Sequence, residues 1–101
     1  MDQLLASGQP VFVDFTATWC VTCQYNKTTL SNRDVVADLA SKNVALLRAD
    51  WTRRDPAITA ALAQLGRNGV PVYVFYKSGS TPVVLSEVLG VDEVRSAIAK
   101  L

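Results

Sequence analysis

Short apolar runs alternate along the chain with stretches whose apolar residues recur at helical spacing. Val11-Phe12-Val13-Asp14-Phe15 is a run of β-branched and aromatic residues, the mark of a buried strand, and Asp14 is its one interruption. Val44 to Ala49 and Val72-Tyr73-Val74-Phe75-Tyr76 read as two more buried strands, the latter followed by the turn Lys77-Ser78-Gly79-Ser80. Pro82 to Val88 predicts a fourth strand, antiparallel to the third because so short a connection does not allow a crossover. One helix is expected from near Cys20 to about Leu30. Ser31-Asn32 and Asp34 supply cap chemistry for a second piece through Val35, Val36, Leu39 and Ala40. Asp55-Pro56 opens another, with Asp as cap and Pro at the first helical position; Ile58, Ala61, Leu62 and Leu65 are its stripe and Gly66 its stop. Val91, Val94, Ile98 and Leu101 mark a terminal helix, and residues 2–7 a short one stopped by Gly8 and Pro10. The order α-β-α-α-β-α-β-β-α predicts an α/β fold, a mixed central sheet of about four strands flanked by helices.

With 101 residues, half of them hydrophobic and 19% charged, the chain fits one domain over 1–101 that buries a core without disulfide staples. Ten basic residues against nine acidic ones leave a net charge of +1, with no basic block to neutralise phosphates, so nucleic acid is not an expected partner. The absence of histidine excludes Ser-His-Asp and Cys-His catalysis and His-ligated zinc. The longest apolar run, Val70 to Tyr76, falls far short of the roughly 20 residues of a membrane helix. Met1-Asp2-Gln3-Leu4-Leu5-Ala6 lacks the basic region and long apolar stretch of a signal peptide.

The two cysteines lie in Trp19-Cys20-Val21-Thr22-Cys23, after a strand and at a helix start. This spacing suits half a zinc site, part of an iron–sulfur or copper site, a structural disulfide, or a reversible dithiol. Structural zinc needs four ligands, and the chain offers two thiolates and no histidine. A structural disulfide across one helical turn closes a very short loop and so constrains the unfolded chain least. Redox exchange fits best. The unpaired N–H groups and positive dipole end of a helix favour a thiolate, most of all at Cys20, which is therefore expected to be the exposed nucleophile. Cys23, on the same face three residues on, is expected to be the resolving thiol that releases a mixed disulfide.

The segment from Val13 to Cys23 resembles the active-site segment of thioredoxins, and Gly69-Val70-Pro71 resembles their cis-proline loop. A closer likeness is to the C-terminal thioredoxin-like domains of the DsbD group of membrane thiol:disulfide interchange proteins. It is carried by Cys-Val-Thr-Cys, Ala49-Asp50-Trp51-Thr52, Arg54-Asp55-Pro56 and Gly66-Arg67-Asn68-Gly69-Val70-Pro71, and spans roughly residues 9 to 90. The resemblance implies a monomeric thioredoxin-like domain cut from a longer membrane protein. It would act as a protein-disulfide reductase with no cofactor beyond the Cys20–Cys23 disulfide. Its electrons would come from a membrane-embedded cysteine pair and pass to other thiol proteins in the periplasm, in routes such as cytochrome c biogenesis. A stand-alone cytoplasmic thioredoxin, a non-catalytic thioredoxin-fold binding module and a copper or zinc carrier are the alternatives.

For individual residues, the likeness implies that Asp14 is a partly buried acid under the cysteines, its pKa raised by lost hydration. It could then take the proton of Cys23 and return it. The plain alternative is a strand-edge carboxylate facing solvent. The Val70–Pro71 bond is expected to be cis, facing the disulfide, with the Val70 backbone free to pair with an extended substrate segment. Trp19 is expected as a flat apolar rim, and Tyr25 as a packing residue inside the helix. Trp51 reads as packing, and Arg53 and Arg54 as solvated charges. Lys27 stands where some members of the DsbD group carry an acid that keeps the thiol protonated, and a lysine there acts the other way. Thioredoxin domains also have a strand before their first helix, for which residues 1–8 leave no room.

Overall fold

A computed structural model describes residues 6–101. Among these, four strands form one mixed sheet in the order β2-β1-β3-β4. Strands β1 (Val11–Thr16) and β2 (Ala45–Asp50) run parallel, from Val11 opposite Ala45 to Thr16 opposite Asp50. Strand β3 (Val72–Tyr76) lies antiparallel on the other side of β1 and carries β4 (Val83–Val84) at its outer edge. Helices α1 (Val21–Leu30) and α2 (Arg33–Ser41) connect β1 to β2, α3 (Pro56–Gln64) connects β2 to β3, and α4 (Val91–Ala99) follows β4. The short helix expected over residues 2–7 lies largely outside the described residues.

Alternation along β1 divides the core between the two faces of the sheet. Val11, Val13 and Phe15 join Trp51, Leu62, Val72 and Val74 on the α3 face. Phe12 points the other way, into a core of Val35, Leu39, Tyr73, Phe75, Leu89, Val94 and Ile98 beneath α2 and α4. The caps match their sequence signals. Asn32 Oδ1 accepts from the Asp34 and Val35 N–H groups, and Asp55 Oδ1 accepts from those of Ala57 and Ile58. Gly66 stops α3 at a φ of +74°, in the left-handed region that glycine occupies without strain.

The fourth strand is much shorter than the Pro82 to Val88 expected. Leu85 N–H still reaches Tyr73 O at 2.8 Å, but the next residues find partners outside the sheet. Glu93 Oε2 accepts from both Ser86 N–H and its hydroxyl, at 3.0 and 2.7 Å. Asn26 then takes over the chain: its Nδ2 donates to Glu87 O at 2.7 Å and to Tyr73 Oη at 3.0 Å, and its Oδ1 accepts from Leu89 N–H at 3.0 Å. Helix side chains satisfy backbone groups that a strand ladder would otherwise use. Asn26 is fully buried, and it occupies the inward face of α1 together with Cys23. That placement turns Tyr25 outward, 62% exposed, where the sequence suggested packing.

Candidate active site

At the end of β1 the chain leaves the sheet through residues 17–20, with Cys20 N–H bonded to Ala17 O at 3.2 Å. Cys20 is the N-cap of α1, its backbone extended at φ −89° and ψ 107°. Its Sγ accepts the Cys23 N–H at 3.1 Å, the bond that a Ser or Asp side chain makes at other helix starts. No acid stands in the first turn of α1 to oppose negative charge there. Cys20 and Cys23 are joined as a disulfide with their Cα atoms 5.2 Å apart. Both cysteines are buried, Cys20 7% exposed and Cys23 2%, so Cys20 is the more open of the two but not the exposed residue expected, because the disulfide packs with Ala17 and Val70.

The disulfide packs with Ala17 and Val70. The Val70–Pro71 bond is cis, and Pro71 is buried at the head of β3. Cys20, Cys23 and the sequence-distant Val70 therefore meet at one place: the point where β1 runs into α1 and the 66–71 loop runs into β3.

Trp19, next to Cys20 in the chain, is 46% exposed. Its position is set by the segment after β2. Trp51 N–H donates to Thr16 O at 2.7 Å, Thr18 N–H to Thr52 Oγ1 at 2.9 Å, and Trp19 Nε1–H to Thr52 O at 3.0 Å. The Thr52 hydroxyl and N–H both donate to the Asp50 carboxylate, which holds its pKa below the ordinary value. Trp51 is buried, with Nε1–H on Thr59 Oγ1 at 2.8 Å and its ring 5.9 Å from that of Trp19. Arg54, expected as a solvated charge, instead stands over both indoles, its guanidinium carbon 4.8 Å from one ring centre and 4.9 Å from the other. Sequence reading missed this brace because aromatic faces and a cation separated by 35 positions carry no local pattern.

Asp14 lies in mid-strand, opposite Arg48 on β2 and Tyr73 on β3, and faces a cavity of about 400 Å³ bordered by Lys27, Leu30, Ser31, Leu39 and Arg48. Its side chain is 15% exposed, and Oδ2 is 4.0 Å from Arg48 Nε. Oδ1 is buried with no hydrogen-bond partner. Burial raises the carboxyl above its usual pKa, and the charges of Arg48 and Lys27 oppose that rise. Asp14 is thus a partly buried acid beneath α1, not a solvent-facing edge, although it shares no hydrogen bond with either sulfur. The charge of Lys27 reaches this carboxyl.

A family model described as thioredoxin-like matches residues 1–78. The thiol:disulfide interchange protein DsbD of Klebsiella pneumoniae is 40% identical over 81 residues, covering 77% of this chain and 13% of that protein. DsbD of Yersinia enterocolitica is 34% identical over 86 residues, covering 84% of this chain and 14% of that protein. The chain thus spans about one-seventh of the length of these curated relatives. The oxidised C-terminal domain of Neisseria meningitidis DsbD superposes with a TM-score of 0.83 at 23% identity, covering 98% of this chain and 87% of that one.

Proposed function

The chain belongs to the thioredoxin-like family and is a thiol:disulfide oxidoreductase domain, and we propose that it passes electrons from a membrane-embedded cysteine pair to thiol proteins of the periplasm. In this reading it is a monomeric unit of a longer inner-membrane protein, and the only redox group it needs is the Cys20–Cys23 pair. The carrying observation is the place of that pair: Cys20 at the N-cap with its sulfur on the Cys23 N–H, Val70 packed against the cluster of Ala17 and the two cysteines, and Trp19 exposed next to Cys20 in the chain.

The chemistry follows from that arrangement. In the reduced domain, the Cys23 N–H and the helix start favour negative charge on Cys20 Sγ. The Cys20 thiolate attacks one sulfur of the partner disulfide; a new S–S bond forms, the partner's bond breaks, and its second sulfur leaves as a thiolate that takes up a proton. Cys23 then loses its proton and attacks Cys20 Sγ. The intramolecular disulfide re-forms and the partner departs as a dithiol, reduced by two electrons and two protons. Asp14, its carboxyl raised by burial, accepts the Cys23 proton as that thiol attacks and gives it up to the departing partner sulfur, so that it is ionised again in the oxidised domain. Recharging runs the same exchange backwards, with the donor's dithiol opening the Cys20–Cys23 bond.

The test is a trap. In Cys23→Ala the second attack cannot occur, so mixed disulfides through Cys20 should accumulate in cells. Non-reducing gels with mass spectrometry should find periplasmic thiol proteins joined to it. Partners caught only by Cys20→Ala, through Cys23, would reverse the assignment, and absence of any adduct would reject the reading.

A further inference from the structure

We propose that Arg54 is a specificity-determining residue of the docking rim, and that it recognises a carboxylate next to the disulfide of the incoming protein. This deepens the thiol-exchange reading and rests on it. Trp19 adjoins Cys20 in the chain, so a disulfide seated on Cys20 brings its flanking residues over Trp19 and the guanidinium above it. Stacking on both Trp19 and Trp51 fixes that cation in place without consuming its five N–H donors. Among the described residues it has no hydrogen bond or ion pair through its side chain.

The acids on either side of Arg54 are already engaged. Asp50 accepts from Thr52, and Asp55 caps α3 through the Ala57 and Ile58 N–H groups. The loop thus binds its own carboxylates and leaves a cation open at the rim. The backbone enforces the arrangement: Arg54 sits at φ +53°, a region unusual for a side-chain-bearing residue, with its N–H on Trp51 O at 2.8 Å. A planar donor fork anchored beside a nucleophile and lacking a counter-ion matches a carboxylate, which it can meet with two parallel bonds.

The test uses two synthetic disulfide peptides that differ only in Glu or Gln beside the attacked cysteine, each reduced by the dithiol form of the domain. At low ionic strength the wild type should reduce the Glu peptide about fivefold faster, and added salt should shrink the advantage. Arg54→Gly, which the positive φ accommodates, should bring the ratio close to one. Arg54→Lys should keep part of it, because the charge stays and the fork is lost. A role in packing alone would slow both peptides equally and leave the ratio intact, which overturns the proposal, as does a wild-type ratio near one. If the wild type reduces neither peptide, the thiol-exchange reading itself has failed and the proposal falls with it.

Discussion

Replacing Asp14 with Asn should make the domain more stable and, at the same time, a slower exchanger. The carboxylate is 15% exposed and its Oδ1 is buried without a partner. Leaving that oxygen unpaired in the charged form costs about 1–3 kcal/mol, a penalty that protonation or a neutral amide relieves in part. Arg48 offsets little of this, because its own side chain is 64% exposed and 4.0 Å away, a pairing of about 0–1 kcal/mol. The charged form therefore weakens the fold by about 1–2 kcal/mol, of which Asn should recover about 1 kcal/mol, or about 4–8 °C in Tm for a domain of this size. The sign with pH is fixed by burial. The folded-state pKa lies above 3.8, so between 3.8 and that value the native state holds the proton more tightly than the unfolded chain does. Wild-type stability falls as pH rises through the folded pKa, whereas Asn adds no such slope. The variant's advantage should be absent below 3.8 and grow as pH rises through the folded-state pKa. Urea unfolding of the oxidised protein at acidic and neutral pH measures it. Exchange kinetics near neutrality should slow by up to about a hundredfold if the proton acceptor is lost. An advantage of equal size at both pH values, or lower stability of the variant at neutral pH, would refute the reasoning.

Two further substitutions probe the frame. Asn26→Leu strips partners from Tyr73 Oη, Glu87 O and Leu89 N–H, and should lower unfolding stability by about 2–4 kcal/mol in urea; a loss under about 1 kcal/mol would mean those groups find other partners. Pro71→Ala should weaken partner docking, seen as a higher KM with little change in kcat, because Pro71 sets the path of the chain beside Val70 and the sulfurs; unchanged KM would discount the Val70 edge as a docking site.

Most of the sheet was legible because its strands are dense apolar runs. The third strand has the bounds its sequence suggests, and the second is offset by a single residue. Pro82 to Val88 misled because its pattern is that of a strand, whereas Asn26 and Glu93, distant in sequence, claim its backbone groups. The cysteine pair declared itself by spacing and position after β1. The 50–54 brace did not. Trp51 looked like packing and is buried, but it also carries the ring under Arg54, a relation that exists only once the ends of the parallel strands β1 and β2 lie side by side. Tyr25 and Asn26 were hard to rank for a related reason. An aromatic residue is the ordinary choice for a buried helix position, and only the triple hydrogen bonding of Asn26 makes the polar residue the inward one.

Two residues break local rules with little structural compensation. Asp14 places a carboxyl where the α2 and α4 face of the sheet otherwise receives apolar side chains such as Phe12 and Tyr73, and leaves an oxygen unpaired. Arg54 holds a left-handed backbone to rest a cation on two indoles, and leaves its donors unmatched. A sequence shaped by folding alone would replace the first with Val or Ile and the second with Gly or Asn, each a gain in stability. Local conflicts of this kind are expected where function, not packing, selects the residue. In the proposed exchange they divide the work: Asp14, under α1, takes up a proton, and Arg54, over the two indoles, recognises the partner. Combining Asp14→Asn with Arg54→Gly should therefore give additive effects. The first would slow exchange with both the Glu and Gln peptides to the same degree, and the second would remove the preference between them, since the two sites share no contact through which to couple.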